Sequence, residues 1–332
     1  MPKLAAVALF LALPVASSSC PQSTPSRVTP PGQYRVLSGT GRIRIPFEMY
    51  RNKIRMAASV NGRDCHLTVD NGSLWDDILF FGSPKTDALD LEYSGEVTIG
   101  DENAPHPVRA DRASGLTVGF EDVVFTGQAA VVTRYDPKLP NLWEGIDGQV
   151  SATFFKHFAV KINFDESIIE LTRPEEFNPP ADGHILAMSP GPHDSRTIPA
   201  LVKTENGLET RVELLVDLGG LFPLYLPVGK YDSIELPKDA IESSLGAGLM
   251  SQKGFIGRVP SFRLGPYTLD NVPTAFTPVT KEADIFGNTM IGLPLLRRFI
   301  VTFDYPHDRM VLEPSKSFQT PFKMNGAGAA KR

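Results

Sequence analysis

The sequence has little cysteine. Only Cys20 and Cys65 occur in 332 residues. Because Cys20 lies next to an N-terminal leader-like segment, Cys65 has no partner within the remainder of the chain, and this excludes a framework of internal disulfides. Cys65 adjoins an apolar strand, so we expect it to be a small buried side chain.

The chain also lacks an excess of positive charge and several common site motifs. Its net charge is −5 and no basic stripe is present, which argues against nucleic acid or an anionic membrane as a partner. The motifs G-x-S-x-G, HExxH and paired CxxC are missing, as is a glycine-rich phosphate loop ending in Lys-Ser or Lys-Thr. His193 and Asp194 are too few for a metal site. We therefore expect no metal and no cofactor.

Long apolar runs are missing outside the N-terminus. Residues 1–19 contain a lysine, an apolar run and then small residues, which is the layout of a signal peptide and too short for a transmembrane helix. Residues 20–37 are rich in proline and serine and are expected to form a tether. Cys20 leaves two alternatives open, a lipid anchor or none. The sequence predicts an exported protein of the periplasm or cell envelope.

The sequence does contain an internal repeat. HLTVDNGSLW and ETRVELLVDLGGLFPLYL each run an apolar strand into Asp-x-Gly, at Asp70 and Asp217, 147 residues apart. Three further pairs follow in the same order, at offsets of 146, 144 and 141 residues: Gly119 with Gly265, Phe125 with Leu269, and 148–171 with 289–312. Any two β-hairpins look alike, but chance matches would not stay collinear. The pattern indicates a duplicated β-lobe.

The repeat predicts a mostly β, bilobal protein with few short helices. With 29 prolines and 28 glycines, the chain has the composition of a turn-rich β-protein. An amphipathic helix is expected in residues 236–248. The predicted divisions are an N-terminal lobe at 38–175, an inter-lobe connection at 176–195, a C-terminal lobe at 196–318 and a disordered tail at 319–332.

Two lobes related by an approximate two-fold axis would bring Asp70 and Asp217 together at their interface. Two carboxyl groups about 3 Å apart cannot both ionise, so one keeps a proton while the other is charged. The charged group can deprotonate a water molecule while the protonated one polarises a carbonyl, without metal, cofactor or covalent intermediate. Gly72 and Gly219 let each turn bend sharply and bring its amide close to the carboxylate.

This pattern resembles the aspartic peptidases, specifically the bacterial retropepsin-like proteins, over most of residues 40–315. That family has Asp-Thr-Gly or Asp-Ser-Gly at the active turn, followed later by a hydrophobic–hydrophobic–Gly segment, a short helix and a final hairpin. The matching segments are Met290, Ile291 and Gly292 in the second copy and, more loosely, Gln149, Val150 and Ser151 in the first. The resemblance implies a pepsin-like fold that binds a peptide or protein substrate between its lobes. Because both lobes belong to one chain, we expect a monomer.

The chain departs from the family pattern after each aspartate. The family hydroxyl that reaches across to the opposite lobe is replaced by Asn71 in one copy and Leu218 in the other. Asparagine can donate and accept hydrogen bonds, whereas leucine cannot, so one cross-lobe tie is missing or is supplied by backbone and water. Two hypotheses follow: an exported aspartic endopeptidase, or a catalytically impaired module that binds peptides or a partner at the cell envelope.

Three aromatic residues are candidates for the substrate cleft. Trp75 and Phe222 follow the two active turns at related positions and either line pockets or belong to the apolar core of each lobe. A flap hairpin should cover the cleft, and residues 91–100 are a candidate, with Tyr93 available to hydrogen-bond toward the site.

Overall fold

The computed structural model describes most of the chain after residue 32. The described ranges are 33–37, 42–72, 78–99, 108–135, 143–151, 153–191, 195–245, 252–278 and 289–322. The expected signal peptide lies outside these ranges, as do Cys20, Trp75, His193 and Asp194. Within the described part, no helix is both long enough and apolar enough to cross a membrane.

The protein is mostly β, as the sequence predicts. Its first half contains the strands β1 Gln33–Val36, β2 Arg42–Pro46, β3 Glu48–Tyr50, β4 Lys53–Val60, β5 Arg63–Val69, β6 Ile78–Phe80, β7 Glu92–Ile99, β8 Val108–Phe120, β9 Val123–Thr133, β10 Gly148–Val150, β11 Ala159–Asn163 and β12 Ile168–Thr172. One short helix, α1 Pro84–Asp87, follows β6 and begins at the side-chain cap of Ser83.

The second half has a similar set of strands: β13 His184–Ala187, β14 Ser189–Pro190, β15 Arg196–Lys203, β16 Glu209–Asp217, β17 Leu224–Val228, β18 Ile241–Leu245, β19 Gln252–Leu264, β20 Tyr267–Pro278, β21 Met290–Gly292, β22 Phe299–Asp304 and β23 Arg309–Pro314. Helix α2, Leu293–Leu296, follows β21 directly. Short 3-10 turns lie at Pro174–Glu176 and Tyr305–His307.

The two halves repeat the same strand order. In the first half, β4, β5, β10, β6, β9 and β8 pair in that order and β8 returns to β4, which closes a ring of six strands. In the second half, β15, β16, β21, β17, β20 and β19 form the equivalent ring. The directions agree as well, because β5–β10 and β16–β21 are both parallel pairs. Each ring places its Asp-x-Gly turn directly after a central strand.

A third sheet joins the two halves in the order β13-β23-β22-β11-β12-β2. At its centre β11 lies antiparallel to β22, with Lys161 opposite Thr302. These two residues are also equivalent in the repeat, at the offset of 141. Their flanking pairs, Val160 with Phe303 and Ile162 with Val301, exchange equivalent positions. The local two-fold axis therefore passes between Lys161 and Thr302.

Alternation of apolar and polar residues produces the core. In β4, for example, Ile54, Met56 and Val60 are buried and alternate with more exposed residues. Most of the buried apolar side chains of both halves form one continuous cluster. Cys65 belongs to it at 2% exposure, as expected, and burial raises its pKa to about 11.

The predicted helix at 236–248 is wrong. Residues 241–245 form the strand β18, which pairs antiparallel with the start of β19 from Ile241↔Ile256 to Leu245↔Gln252. The proline and glycine signals at the ends of this segment suit a turn as well as a helix. Pairing with a long strand outweighs the weak helix propensity of a segment that contains two serines.

The equivalence of Gly119 with Gly265 is shifted by two residues. Phe120 pairs with Val123 and Leu264 with Tyr267, so both hairpins turn at an offset of 144. Glu121, with φ +42°, therefore occupies the position of Gly265, with φ +57°. The glycine identity in the sequence was misleading, because a non-glycine residue adopts the left-handed conformation in the first copy.

Three expected segment boundaries differ from the observed elements. The tether at 20–37 includes β1, which pairs with β9. The connection at 176–195 contributes β13 to the joining sheet and β14 to the edge of β15. In the tail, the carbonyl of Thr320 accepts a hydrogen bond from Arg298 Nη1 at 2.5 Å, so residues 319–322 are packed against the C-terminal half.

Candidate active site

The two aspartates lie at the ends of equivalent strands. Asp70 directly follows β5, and Asp217 is the last residue of β16. The Asp70 N–H donates to the carbonyl of Val150 at 2.9 Å, and Asp217 lies beside Gly292 in the parallel pairing of β16 with β21. Each acid is therefore fixed where a central strand leaves its sheet.

Each aspartate is followed by a turn that bonds back to its own carboxylate. The Gly72 N–H donates to Asp70 Oδ1 at 3.2 Å, and the Gly219 N–H donates to Asp217 Oδ1 at 2.7 Å. Such a bond orients the carboxylate and favours its ionised form. The same interaction occurs in both copies, so the two turns are equivalent at the level of single hydrogen bonds.

Each glycine packs against the aspartate of the other turn. A Cβ added to Gly72 would lie 2.5 Å from Asp217 Cγ, and one added to Gly219 would lie 2.5 Å from Asp70 Cγ. Both distances are far below van der Waals contact. The carboxyl group of Asp70 also acts on that of Asp217 and raises its pKa. The fold thus brings together the two acids and the two glycines that the repeat singled out.

The surroundings of Asp217 favour its protonated form. Burial and the charge of Asp70 raise its pKa from an ordinary 3.8 to about 7, against the opposing effects of Lys53 and the Gly219 N–H. Two coupled carboxyl groups release their protons in two steps that belong to the pair. The pair therefore holds one proton up to near-neutral pH.

Asn71 connects the two turns. Its Oδ1 accepts a hydrogen bond from the Leu218 N–H at 2.8 Å, which is a buried bond between the two halves. Its Nδ2 donates to the hydroxyl of Tyr305 at 2.8 Å, which fixes the orientation of the amide. Burial raises the pKa of Tyr305 to about 12, so this hydroxyl stays neutral. An amide thus supplies a cross-lobe tie where the resembling family has a hydroxyl.

Leu218 makes no equivalent side-chain tie. Its side chain is fully buried and belongs to the continuous apolar core. The residue equivalent to Tyr305 in the first copy is Phe164, which also lacks a hydroxyl. The polar pair Asn71 and Tyr305 is therefore matched by the apolar pair Leu218 and Phe164. Among the described residues, the side-chain tie between the two turns is one-sided.

Lys53 reaches the second turn from the first half of the chain. Its Nζ donates to the carbonyl of Gly219 at 2.6 Å, and its side chain is partly buried. Its positive charge lowers the pKa of Asp217, as an ammonium close to a carboxylate must. Lys53 therefore provides a second connection between the halves and a cation beside the aspartate pair.

Phe222 and Tyr225 form an aromatic wall next to the second turn. The Tyr225 hydroxyl accepts the N–H groups of Leu221 at 2.9 Å and Phe222 at 3.1 Å, and the two rings meet edge to face at 5.8 Å. Both rings pack against a small apolar cluster that includes Leu245 and is separate from the main core. Burial, together with the charges of Asp217 and Asp70, raises the pKa of Tyr225 to about 12.

The other aromatic candidate with a described position lies elsewhere. Tyr93 is in β7, opposite Ala113 of β8, and its side chain is 53% exposed. Its charged neighbours are Asp87 and Asp111 rather than the aspartate pair, and burial raises its pKa. β7 and β8 do form a hairpin, as expected of a flap, but a role for Tyr93 in the cleft stays a prediction.

Three residues of the site were not recognised in the sequence. Tyr305 occurs in FDYPHD, whose composition is typical of a turn. The one available signal was that its counterpart in the first copy, Phe164, lacks the hydroxyl group. Lys53 begins β4 with no motif around it. Tyr225 follows the Asp-x-Gly turn within an apolar run. For Lys53, only pairing in three dimensions reveals the contact.

Comparison with known proteins adds no family assignment. No protein-family model matches the chain, and no curated protein matches it significantly.

Proposed function

We propose that this protein is an exported aspartic-type endopeptidase in which Asp70 and Asp217 share one proton and activate water. The observation that carries the proposal is the reciprocal contact, in which each turn's glycine lies against the other turn's carboxyl group. An unneeded pair of like-charged groups facing each other would be costly, so its presence favours a role in chemistry.

The reaction follows from the ionisation of the pair. With one proton shared, the ionised carboxylate removes a proton from a water molecule as the water attacks the peptide carbonyl carbon. The protonated carboxyl donates to the carbonyl oxygen as the tetrahedral intermediate forms. As that intermediate collapses, the carboxylate takes a proton from one of its hydroxyl groups, the protonated carboxyl donates a proton to the amine nitrogen, and the C–N bond breaks. The pair thereby returns to its singly protonated state.

The substrate in this proposal is an extended peptide or an unfolded protein bound between the two halves. Phe222 and Tyr225 offer an apolar surface beside the second turn. Both halves belong to one chain, so a monomer holds both aspartates. Export to the periplasm or cell envelope rests on the sequence of residues 1–19 and 20–37.

The test is cleavage of an unfolded protein by purified enzyme between pH 3 and 8. Asp70→Asn and Asp217→Asn should each abolish cleavage while the circular dichroism spectrum is retained, and the exposed Asp270→Asn should cleave as wild type. Reaction in H₂¹⁸O should place the label in the new carboxyl terminus, and a statine-type inhibitor should block it. Full cleavage by either active-turn variant would refute the proposal.

Leu218 favours a second candidate, a peptide- or partner-binding module without turnover. A one-sided tie could leave the acids misaligned, and a displacement of about 1 Å can cost roughly 100-fold in rate. Peptide binding measured by fluorescence anisotropy, without release of fragments at any pH tested, would support this candidate. If the missing hydroxyl limits the rate, Asn71→Thr combined with Leu218→Thr should raise cleavage above wild type.

A further inference from the structure

The second aspartate turn has a cationic neighbour, Lys53. Lys53 Nζ donates to the carbonyl of Gly219, the residue whose own N–H group orients Asp217. In the pairing of the central strands, Met56 lies opposite Leu67 as Ile198 lies opposite Leu214. Met56 and Ile198 are therefore equivalent. Lys53 precedes Met56 by three positions and Ser195 precedes Ile198 by three, so Ser195 is the counterpart of Lys53.

The environment of the aspartate pair is therefore electrically asymmetric. Serine carries no charge, so one turn contacts an ammonium group and the equivalent position beside the other turn offers none. The ammonium is partly withdrawn from water, where its attraction to a carboxylate is screened less than at the surface. Among the described residues, Lys53 forms no ion pair with a carboxylate.

Four groups face Asp217 from the elements packed around it. Asp70 approaches from the end of β5 and Lys53 from the start of β4. Tyr225 of β17 and Tyr305 after β22 are neutral phenols whose pKa values are both raised to about 12. Among these four described groups, Asp70 and Lys53 are therefore the ones that carry charge across the working range of an aspartic peptidase. A further cation, Arg196, lies behind Tyr305, with its guanidinium carbon 5.0 Å from the centre of that ring.

We propose that Lys53 is a positioning residue that holds the second active turn and sets the pH range over which the aspartate pair carries a single negative charge. With one shared proton, the pair and the ammonium sum to zero charge. Loss of the ammonium leaves a net negative site, which retains its protons to higher pH. The mechanistic part of this inference rests on the proposed peptidase function, whereas its electrostatic part does not.

Three substitutions of Lys53 separate charge from hydrogen bonding. Lys53→Met removes both, Lys53→Gln removes the charge while keeping an N–H donor, and Lys53→Arg keeps the charge. Lys203→Met is the matched control, because this exposed lysine lies opposite Glu209 at the far end of β16. At about 3.3 Å per residue, it is roughly 26 Å along the strand from Asp217, well beyond the Debye length of about 8 Å.

The first measurement needs no substrate. Carbon-13 NMR of aspartate carboxyl groups in the whole chain, assigned with Asp70→Asn and Asp217→Asn, follows the titration of the pair. Lys53→Met and Lys53→Gln should raise both apparent pKa values by about one unit, since a nearby opposite charge lowers a carboxyl pKa by roughly 1–3 units. Lys53→Arg and Lys203→Met should leave them unchanged. Unchanged titration in both Lys53→Met and Lys53→Gln would overturn the proposal.

The second measurement is the pH profile of kcat/KM on a peptide substrate. Both limbs should move to higher pH in Lys53→Gln and stay in place in Lys53→Arg. A variant that is faster at every pH with an unmoved profile would mean that Lys53 only blocks the cleft, and the proposal would fail while the peptidase stood. If the wild type never cleaves but the NMR titration shifts, the peptidase fails while the electrostatic role of Lys53 stands.

Discussion

Asn71 Oδ1 accepts a hydrogen bond from the backbone N–H of Leu218 at 2.8 Å, across 147 residues of sequence. The bond joins the two turns that carry Asp70 and Asp217, at equivalent positions of the repeat. A single amide thereby links the halves on one side, and Lys53 links them on the other. These contacts add to the joining sheet and to the glycine–aspartate packing in fixing the relative position of the two acids.

Asn71→Ala should loosen that link. It leaves the buried N–H of Leu218 without its acceptor, which should lower the free energy of unfolding by about 1–3 kcal/mol. We expect kcat to fall by roughly 100-fold, because the acids lose their alignment. Urea unfolding and peptide cleavage measure the two effects. Asn178→Ala, at an exposed site, is the control, and equal behaviour of the two variants would contradict the assignment.

Tyr305→Phe should have a smaller effect in the same direction. It removes the acceptor for Asn71 Nδ2, which should cost about 1 kcal/mol or somewhat more in unfolding free energy. The amide then loses its fixed orientation, so kcat should fall while KM is retained. Tyr267→Phe removes a hydroxyl with a weaker 3.4 Å contact and serves as the comparison. A rise in KM alone would indicate a role in binding instead.

Gly72→Ala and Gly219→Ala should each separate the aspartates. The new methyl group would overlap the opposite carboxyl group, and relief requires a shift of one turn. Overpacking of this kind typically costs about 1–3 kcal/mol, and cleavage should be lost in both variants. The matched control is Gly119→Ala, whose added Cβ would find its nearest neighbour at 3.8 Å. Wild-type cleavage in Gly72→Ala would show that the turns do not pack as described.

The stability of the protein should depend on pH through Asp217. Its pKa is raised by burial and by Asp70 from 3.8 to about 7, so the folded state binds the proton more tightly than the unfolded state. This contribution is complete below about pH 4 and is lost as the pH rises to about 7, by at most about 1.4 kcal/mol per pH unit. Asp217→Asn should lack this decline when unfolding is measured across the range, and Asp270→Asn should retain it. Parallel curves for wild type and Asp217→Asn would refute the assignment.

The sequence was sufficient for the parts of the fold that repeat. The Asp-x-Gly turns at Asp70 and Asp217 follow apolar strands, and local pattern alone determines both features. The sequence also matched Val150 with Ile291 correctly. Val150 pairs with Val69, which directly precedes Asp70, and Ile291 pairs with Val216, which directly precedes Asp217. The repeat makes these predictions possible because equivalent residues in the two copies occupy the same structural environment, so each pattern is observed twice.

The parts that failed depend on tertiary pairing or on differences between the copies. Residues 241–245 form a strand because β19 pairs with them, which no local signal reveals. Lys53 and Tyr305 reach the site from distant positions, and each has an unlike counterpart in the other copy, Ser195 and Phe164. Aligning the two copies by their similar residues does not identify Lys53 or Tyr305, because each differs from its counterpart.

The axis between Lys161 and Thr302 has a consequence for how the halves can specialise. An assembly of two identical subunits around such an axis must duplicate every side chain, because both partners present the same surface. Here a covalent link removes that obligation, so one acid can neighbour an ammonium and the other a neutral group. A fixed side-chain difference between the surroundings of the two aspartates is thus available to a single polypeptide, whereas a homodimer must place the same residues beside both.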